Sequence, residues 1–185
     1  MNRALDEHLR VRMNALAALP PSAPPEPWRK VGTLPVGGLT EVGFGDSTDL
    51  LLVISGAGRG VVDGHTGRLI ARDDSDDLFF DAGNLLAEGI GPLAGVKVRV
   101  AGLRGGGLST NTSDGWGLER LPRAWPDDEL ILSPPGQTML WTPRDQPVKL
   151  IKLAGFISEV CAFGFSPTGK VFIVATASDL AIFSR

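Results

Sequence analysis

Residues 164 to 174 read Gly-Phe-Ser-Pro-Thr-Gly-Lys-Val-Phe-Ile-Val, which is an apolar pair, a tight turn and an unbroken apolar run. A shift of 121 positions aligns them with residues 43 to 53, Gly-Phe-Gly-Asp-Ser-Thr-Asp-Leu-Leu-Leu-Val. The match continues without a gap, since Val61-Val62 falls on Ile182-Phe183. Each copy predicts strand, turn, strand, turn and strand. We therefore expect related three-stranded meanders at residues 42–63 and 163–184.

The rest of the chain from residue 31 to residue 185 predicts more strands of the same kind. Leu50 to Ile54 and Val171 to Val174 are continuously apolar, so we expect both runs to be covered on both faces of a sheet. Other short runs, including residues 138–141, are separated by turns rich in Gly and Pro. The pattern predicts a mainly β fold: a single antiparallel β domain of short meanders.

The N-terminal segment has a helical pattern instead. Apolar residues recur at helical spacing, and charged residues lie between them. The apolar positions are Leu5, Leu9, Met13, Leu16 and Leu19. They predict one amphipathic helix within residues 1–19, followed by a Pro-rich connector at 20–30. Charges continue through Arg12, which is not the pattern of a secretory signal, so we expect a cytoplasmic location.

Composition excludes several classes of protein. The 18 basic and 21 acidic residues give a formal net charge of −3, which argues against a nucleic-acid partner. A single cysteine excludes a disulfide framework and a Cys-rich zinc site, and we predict no metal or cofactor. The apolar runs are too short to span a bilayer, so we predict no membrane association. Oligomeric state stays open.

Two turn motifs resemble known repeats. Residues 165–183, with Ser166-Pro167-Thr168-Gly169 between two strands, resemble a blade of the WD-repeat β-propellers. Asp63 with Thr66-Gly67 is similar to the blade hairpin of quinoprotein-type propellers. The whole chain is also similar to a group of small, functionally uncharacterised bacterial proteins with a helix, a Gly-rich middle and a Phe-Ser-Pro terminal hairpin. These resemblances imply blade-like meanders, and they imply no activity.

The Gly-rich segment 103–117 is the most distinctive candidate for a site. Its glycines allow close backbone approach, and its polar side chains supply hydrogen bonds to a partner. The candidate binding residues are Arg104, Ser109, Thr110, Asn111, Asp114 and Trp116. The structural alternative is a long hairpin loop, with a turn at Asp114-Gly115 and Trp116 packed back onto the sheet.

No catalytic motif stands out, so two functions are weighed. The leading hypothesis is a non-catalytic binding or protein-interaction module, of an immunity-type or regulatory kind. The alternative is a small hydrolase with a pocket formed around residues 103–117, combining Arg104, Ser109, Asp114 and His65. Geometry discriminates between them, since a hydrolase needs these groups to converge in one pocket. The acidic run at residues 73–77 is read as a solvated loop rather than a metal site.

Overall fold

The structure is a computed structural model that describes residues 3–75, 80–121, 129–141, 149–153 and 159–185. Within these ranges the chain forms one α-helix, one short 3-10 helix (Gly91–Leu93) and sixteen strands. In chain order, the strands are β1 Pro21–Ser22, β2 Arg29–Pro35, β3 Leu39–Phe44, β4 Leu50–Ser55, β5 Gly58–Asp63, β6 Leu69–Asp73, β7 Phe80–Asp81, β8 Leu86–Glu88, β9 Lys97–Arg99, β10 Ala101–Gly102, β11 Gly117–Leu121, β12 Glu129–Ser133, β13 Ile151–Leu153, β14 Val160–Phe165, β15 Val171–Thr176 and β16 Asp179–Ser184. The predicted mainly β fold with one N-terminal helix is confirmed.

The described strands form four sheets, with the orders β10-β3-β4-β5-β6, β14-β15-β16-β2, β1-β13-β12-β11 and β7-β8-β9. Every pairing is antiparallel except that of β1 with β13. Helix α1 (Arg3–Ala17) packs on the third of these sheets. Its Leu16 is 1% exposed and contacts a cluster with Leu121 and Ile131, as an amphipathic helix requires.

Two meanders have the same strand register. We call β3-β4-β5 the first meander and β14-β15-β16 the second meander. In the first, Leu39 pairs with Ser55 and Leu50 with Asp63. In the second, the residues 121 positions later form the equivalent pairs: Val160 with Thr176, and Val171 with Ser184. Both meanders also carry an irregularity at the same place, between residues 39 and 41 and between residues 160 and 162.

A fourth strand extends each meander at an equivalent edge. Strand β6 continues the first meander beside β5, and the N-terminal strand β2 continues the second beside β16. The register shifts at matching places, between Val61 and Val62 and between Ile182 and Phe183. The second sheet is therefore assembled from β2, which follows α1 and β1, and from the last three strands of the chain.

The sheets pack face to face, and both meanders are covered on their two faces. One apolar cluster joins the first meander to the second, a second cluster joins the second meander to β11-β12-β13, and a third joins the first meander to β7-β8-β9. Leu52 and Ile173, which lie in the predicted two-sided runs, are both 0% exposed. That burial prediction is confirmed. The described residues form no closed propeller.

The predicted strand at residues 138–141 is wrong. Thr138 and Trp141 exchange backbone hydrogen bonds and close a tight turn. The Met139 N–H donates to Glu119 Oε2, and its carbonyl accepts from Arg12 Nε, so side chains replace the neighbouring strand that a ladder would need. Trp141 is 59% exposed.

Over the described parts of the chain, no helix combines the length and the apolar composition that crossing a lipid bilayer requires.

Candidate functional site

A buried carboxylate stands in a cleft at the edge of the first meander. Glu41 lies on β3, and its residue is 1% exposed. The cleft has a volume of about 300 Å³, and Thr40, Ile54, Arg59, Phe80 and Arg104 are among the residues that line it with Glu41. We call it the Glu41 cleft. Glu41 directly follows the irregularity in β3, and a bulge at such a position re-aims side chains relative to a regular strand.

Arg104 comes from the start of the predicted binding segment and covers this carboxylate. Its Nη1 lies 2.8 Å from Glu41 Oε1, and its guanidinium carbon lies 4.9 Å from the centre of the Phe80 ring. This distance is that of a cation–π contact. The Arg104 side chain is nonetheless 53% exposed. The cleft thus brings a carboxylate and an aromatic face to one guanidinium, which remains half in water.

The second oxygen of Glu41 is not paired. Glu41 Oε2 is buried and has no hydrogen-bond partner among the described residues. A buried carboxylate oxygen without a donor costs free energy, since it has lost water and gained nothing in exchange. Buried acceptors are normally satisfied by a hydrogen-bond donor, and a donor group that entered the cleft would satisfy this one.

Arg59 forms a fixed wall of the same cleft. Its Nε and Nη2 lie 3.1 and 2.9 Å from Asp73 Oδ2, and its Nη1 donates to the Glu88 carbonyl at 2.8 Å. All three nitrogens are thereby occupied. Among the described residues, the Arg104 guanidinium makes one side-chain hydrogen bond, to Glu41, and the Arg59 guanidinium makes three.

A second cleft, of about 220 Å³, adjoins the first and shares Ser55 and Arg59 with it. Its walls come from the end of β2 and from β4, β5 and β6, and they are mostly apolar. Leu34, Val36 and Val62 are examples. Among the described residues, this cleft has no buried unpaired side-chain atom in its lining, whereas the Glu41 cleft has Glu41 Oε2.

The predicted residues at 109–111 bond mainly to one another. Ser109 Oγ donates to the Asn111 carbonyl at 2.8 Å, and Asn111 Nδ2 donates to Thr110 Oγ1 at 3.1 Å. The Ser109 carbonyl accepts from the Phe165 N–H at 2.7 Å, which anchors the segment to the second meander. A Cβ on Gly164 would lie 2.5 Å from Leu108 Cβ, so a glycine there lets the segment approach.

Asp114 and Trp116 are also held by contacts within the chain. Asp114 pairs with Arg185, whose Nη2 lies 2.9 Å from Oδ1. Hydrogen bonds from Arg185 and Thr112 hold the pKa of Asp114 far below its usual value. Trp116 is 8% exposed and meets the Trp28 ring edge-on at 5.9 Å. Of the six predicted binding residues, Arg104 is the one that lines the Glu41 cleft.

His65 belongs to a different cluster, which links the two meanders. Its Nε2 lies 2.9 Å from Asp49 Oδ2, and its Nδ1 lies 2.9 Å from Ser184 Oγ. Asp49 also accepts hydrogen bonds from the hydroxyls of Ser166 and Thr168. The three residue types are those of a hydrolase triad, but Ser184 is 1% exposed and so cannot meet a substrate.

The hydrolase alternative required four groups to converge, and their partners are separate. Arg104 contacts Glu41, Ser109 contacts Asn111, Asp114 contacts Arg185, and His65 contacts Asp49. Neither described cleft has Ser109, Asp114 or His65 in its lining.

The predicted acidic loop is only partly described. Asp76 and Asp77 lie outside the described residues. Asp73 pairs with Arg59, and Asp74 pairs with Arg72. Among the side chains that the structure describes, no group of three or more His, Cys, Asp or Glu could hold a metal ion.

Sequence reasoning missed Glu41, although a signal was present. The offset of 121 places Glu41 on Ala162, so one copy has a charge where the other has a methyl group. A charge at one of two matched strand positions is a marker of function that the comparison of copies could have supplied. Arg104 and Phe80 come from outside the matched regions, and nothing local in the sequence connects them to Glu41.

Comparison of the sequence with protein-family models gives no match, and comparison with curated proteins gives none either.

Proposed function

We propose that this chain is a non-catalytic binding module that recognises a protein partner through the Glu41 cleft. The observation that carries the proposal is the buried Glu41 carboxylate, with one oxygen on a half-exposed arginine and the other unpaired. Native proteins retain few unsatisfied buried groups, and those that persist call for an explanation. A partner group that completes the hydrogen bonding of Glu41 is that explanation.

The volume of the cleft favours a protein side chain over a drug-sized ligand. At about 300 Å³ it lies at the lower end of the usual range for ligand pockets, roughly 300 to 1,000 Å³. Arg and aromatic residues at its mouth are typical of protein recognition surfaces. We propose an immunity-type or regulatory role for this module, in which it binds one protein partner.

The hydrolase alternative receives less support because its four groups have separate partners. A reaction needs nucleophile and base within hydrogen-bond reach of one another and of a substrate.

Affinity capture from an extract of the source cells tests the proposal. The wild type is compared with Glu41→Gln, which keeps the shape of the side chain and removes its charge, and with Glu7→Gln as a control. Glu7 pairs with Arg10 on the exposed face of α1, away from the cleft. We expect a partner that the wild type and Glu7→Gln capture and Glu41→Gln loses, and that rebinds as a purified protein. Identical captured proteins in all three samples would contradict the proposal.

A further inference from the structure

We infer that the group recognised by the Glu41 cleft is a guanidinium, the end of an arginine side chain on the protein partner, and that Arg104 occupies its place in the free protein. This inference rests on the proposed function.

The chain itself shows which chemistry the cleft accepts. Arg104 lies there with its guanidinium 2.8 Å from one Glu41 oxygen and 4.9 Å from the centre of the Phe80 ring. A planar guanidinium can use both features at once, as donor to the carboxylate and as cation over the ring. A lysine ammonium is a strongly hydrated point charge and lacks the flat surface that stacks.

The fit of Arg104 is incomplete. It makes one hydrogen bond to Glu41, through Nη1 to Oε1, and leaves Oε2 unpaired. An arginine that approaches a carboxylate from the front pairs with both oxygens, through two parallel N–H···O bonds. A partner's arginine entering from solvent is free to adopt this bidentate arrangement, whereas Arg104 lies in a tight turn closed by two backbone hydrogen bonds between Gly102 and Gly105.

Little buried surface is lost when a partner's guanidinium replaces that of Arg104. The Arg104 side chain is already 53% exposed, and moving it fully into water gives up its hydrogen bond to Glu41 and its contact with the Phe80 ring. The charge balance of the cleft is preserved, since Glu41 keeps one cation beside it and Arg59 stays paired with Asp73. Arg104 thus competes with the partner and sets the affinity.

Titration with short probes tests the chemistry directly. The probes are N-acetyl-arginine amide, its neutral isostere N-acetyl-citrulline amide, and N-acetyl-lysine amide. Binding of each probe is measured from the changes in the backbone amide NMR shifts of the full chain. We expect the arginine probe to bind at least about tenfold more tightly than the citrulline probe, as the loss of a charged hydrogen-bond pair implies. Glu41→Gln should weaken arginine binding by a similar factor, and Glu7→Gln should leave it unchanged. Equal binding of the arginine and citrulline probes would overturn the inference.

Removal of Arg104 gives a second, independent test. If Arg104→Ala folds, it should bind the arginine probe several-fold more tightly than the wild type does, because the internal competitor is gone. If Arg104→Ala is poorly folded, millimolar ethylguanidinium should raise its melting temperature, while ethylurea should not. Arg10→Ala, which removes an exposed arginine on α1, is the control that neither additive should rescue selectively. Weaker probe binding by a folded Arg104→Ala, or no selective rescue of an unstable one, would contradict the inference.

The two hypotheses fail in different ways. A captured partner that depends on Glu41 but is not displaced by the arginine probe would overturn the guanidinium inference and leave the proposed function standing. Arginine-probe binding that depends on Glu41, without any captured partner, would overturn the protein-binding role alone.

Discussion

The first and second meanders share one register, but at one buried position of their opening strands the first has a charged residue and the second an apolar one. Glu41 pairs with Ile54 in the first, and Ala162 pairs with Ala175 in the second. Both positions are almost inaccessible, at 1% and 6% exposed. The second meander uses the position for packing, as a β-sandwich interior normally does. The first keeps a charge there, and it is the first that borders the cleft.

The two meanders together show that the strand fold does not require a carboxylate at the position of Glu41. A strand at this place in the register folds with alanine, so the carboxylate is not a requirement of the backbone. Burial of a charge opposes folding unless its partners compensate, and among the described residues the Glu41 carboxylate has one partner, Arg104. A costly group at a position where its counterpart is a methyl indicates function rather than architecture.

Truncation of a buried side chain in the central strand of either meander should cause the largest loss of stability. Leu52 and Ile173 occupy equivalent positions and are both fully buried. Leu52→Ala and Ile173→Ala should therefore each lower the free energy of unfolding by about 2 to 5 kcal/mol. Urea denaturation measures both values. A loss in one meander without a loss in the other would show that the shared register does not produce a shared contribution to stability.

The Asp49 cluster gives the next effect, and it depends on pH. Burial raises the pKa of Asp49, but hydrogen bonds from Ser166, Thr168 and His65 outweigh it, and the net pKa lies below the ordinary value of 3.8. A carboxyl whose pKa is lower in the folded state stabilises above its unfolded pKa, and this stability is lost as the pH falls below about 4 through the folded value.

Asp49→Asn should therefore cost about 1.5 to 3 kcal/mol at neutral pH, the usual contribution of hydrogen bonds to a charged group. The second meander has Lys170 at the position equivalent to Asp49, so it has no corresponding carboxylate whose protonation would lower the stability. Denaturation midpoints at pH 7 and pH 3 check this, with Glu7→Gln, which changes an exposed carboxylate on α1, as the control. An equal loss from Asp49→Asn at both pH values would contradict it.

Glu41 and Arg104 should respond unequally to substitution. Arg104→Ala leaves a buried carboxylate without any partner and should cost about 1 to 3 kcal/mol. Glu41→Met makes the first meander apolar at this position, like the second, and leaves Arg104 free to enter water. We expect it to be neutral or stabilising. Thermal unfolding of both variants measures the difference, and a larger loss for Glu41→Met would refute the functional reading of Glu41.

Cys161 gives the smallest effect. It follows Val160 at the irregularity of the second meander, where the first meander has Thr40. Burial, followed by the charge of Glu159, raises the pKa of its thiol. Alkylation at neutral pH should therefore be slower in the folded protein than after unfolding. Cys161→Thr should change stability by less than about 1 kcal/mol. Fast alkylation of the native thiol would contradict this account.

The sequence predicted the fold through local pattern, and it could not predict the site. Turn residues at a constant offset and the apolar runs at residues 50–54 and 171–174 specify strands, turns and two-sided burial, because these depend on neighbours in the chain. The cleft brings Glu41, Phe80 and Arg104 together from three separate elements. The turn at residues 138–141 was missed for a similar reason, since Arg12 and Glu119 take its backbone groups.

The pairing of β2 with β16 has a consequence for the order of events during synthesis. Pro35 and its partner Asp179 are 144 positions apart, so β2 leaves the ribosome long before the strand beside it exists. At typical elongation rates of about 5 to 20 residues per second, the interval is roughly 7 to 30 s. During that time Arg29–Pro35 lacks the strand beside which it pairs in the folded protein, whereas both strands of the hairpin Leu39–Ser55 have already been synthesised. Arg29 and Lys30 are exposed at one end of this strand and Pro35 at the other, and they limit association with other chains, since cations and proline discourage edge-to-edge pairing.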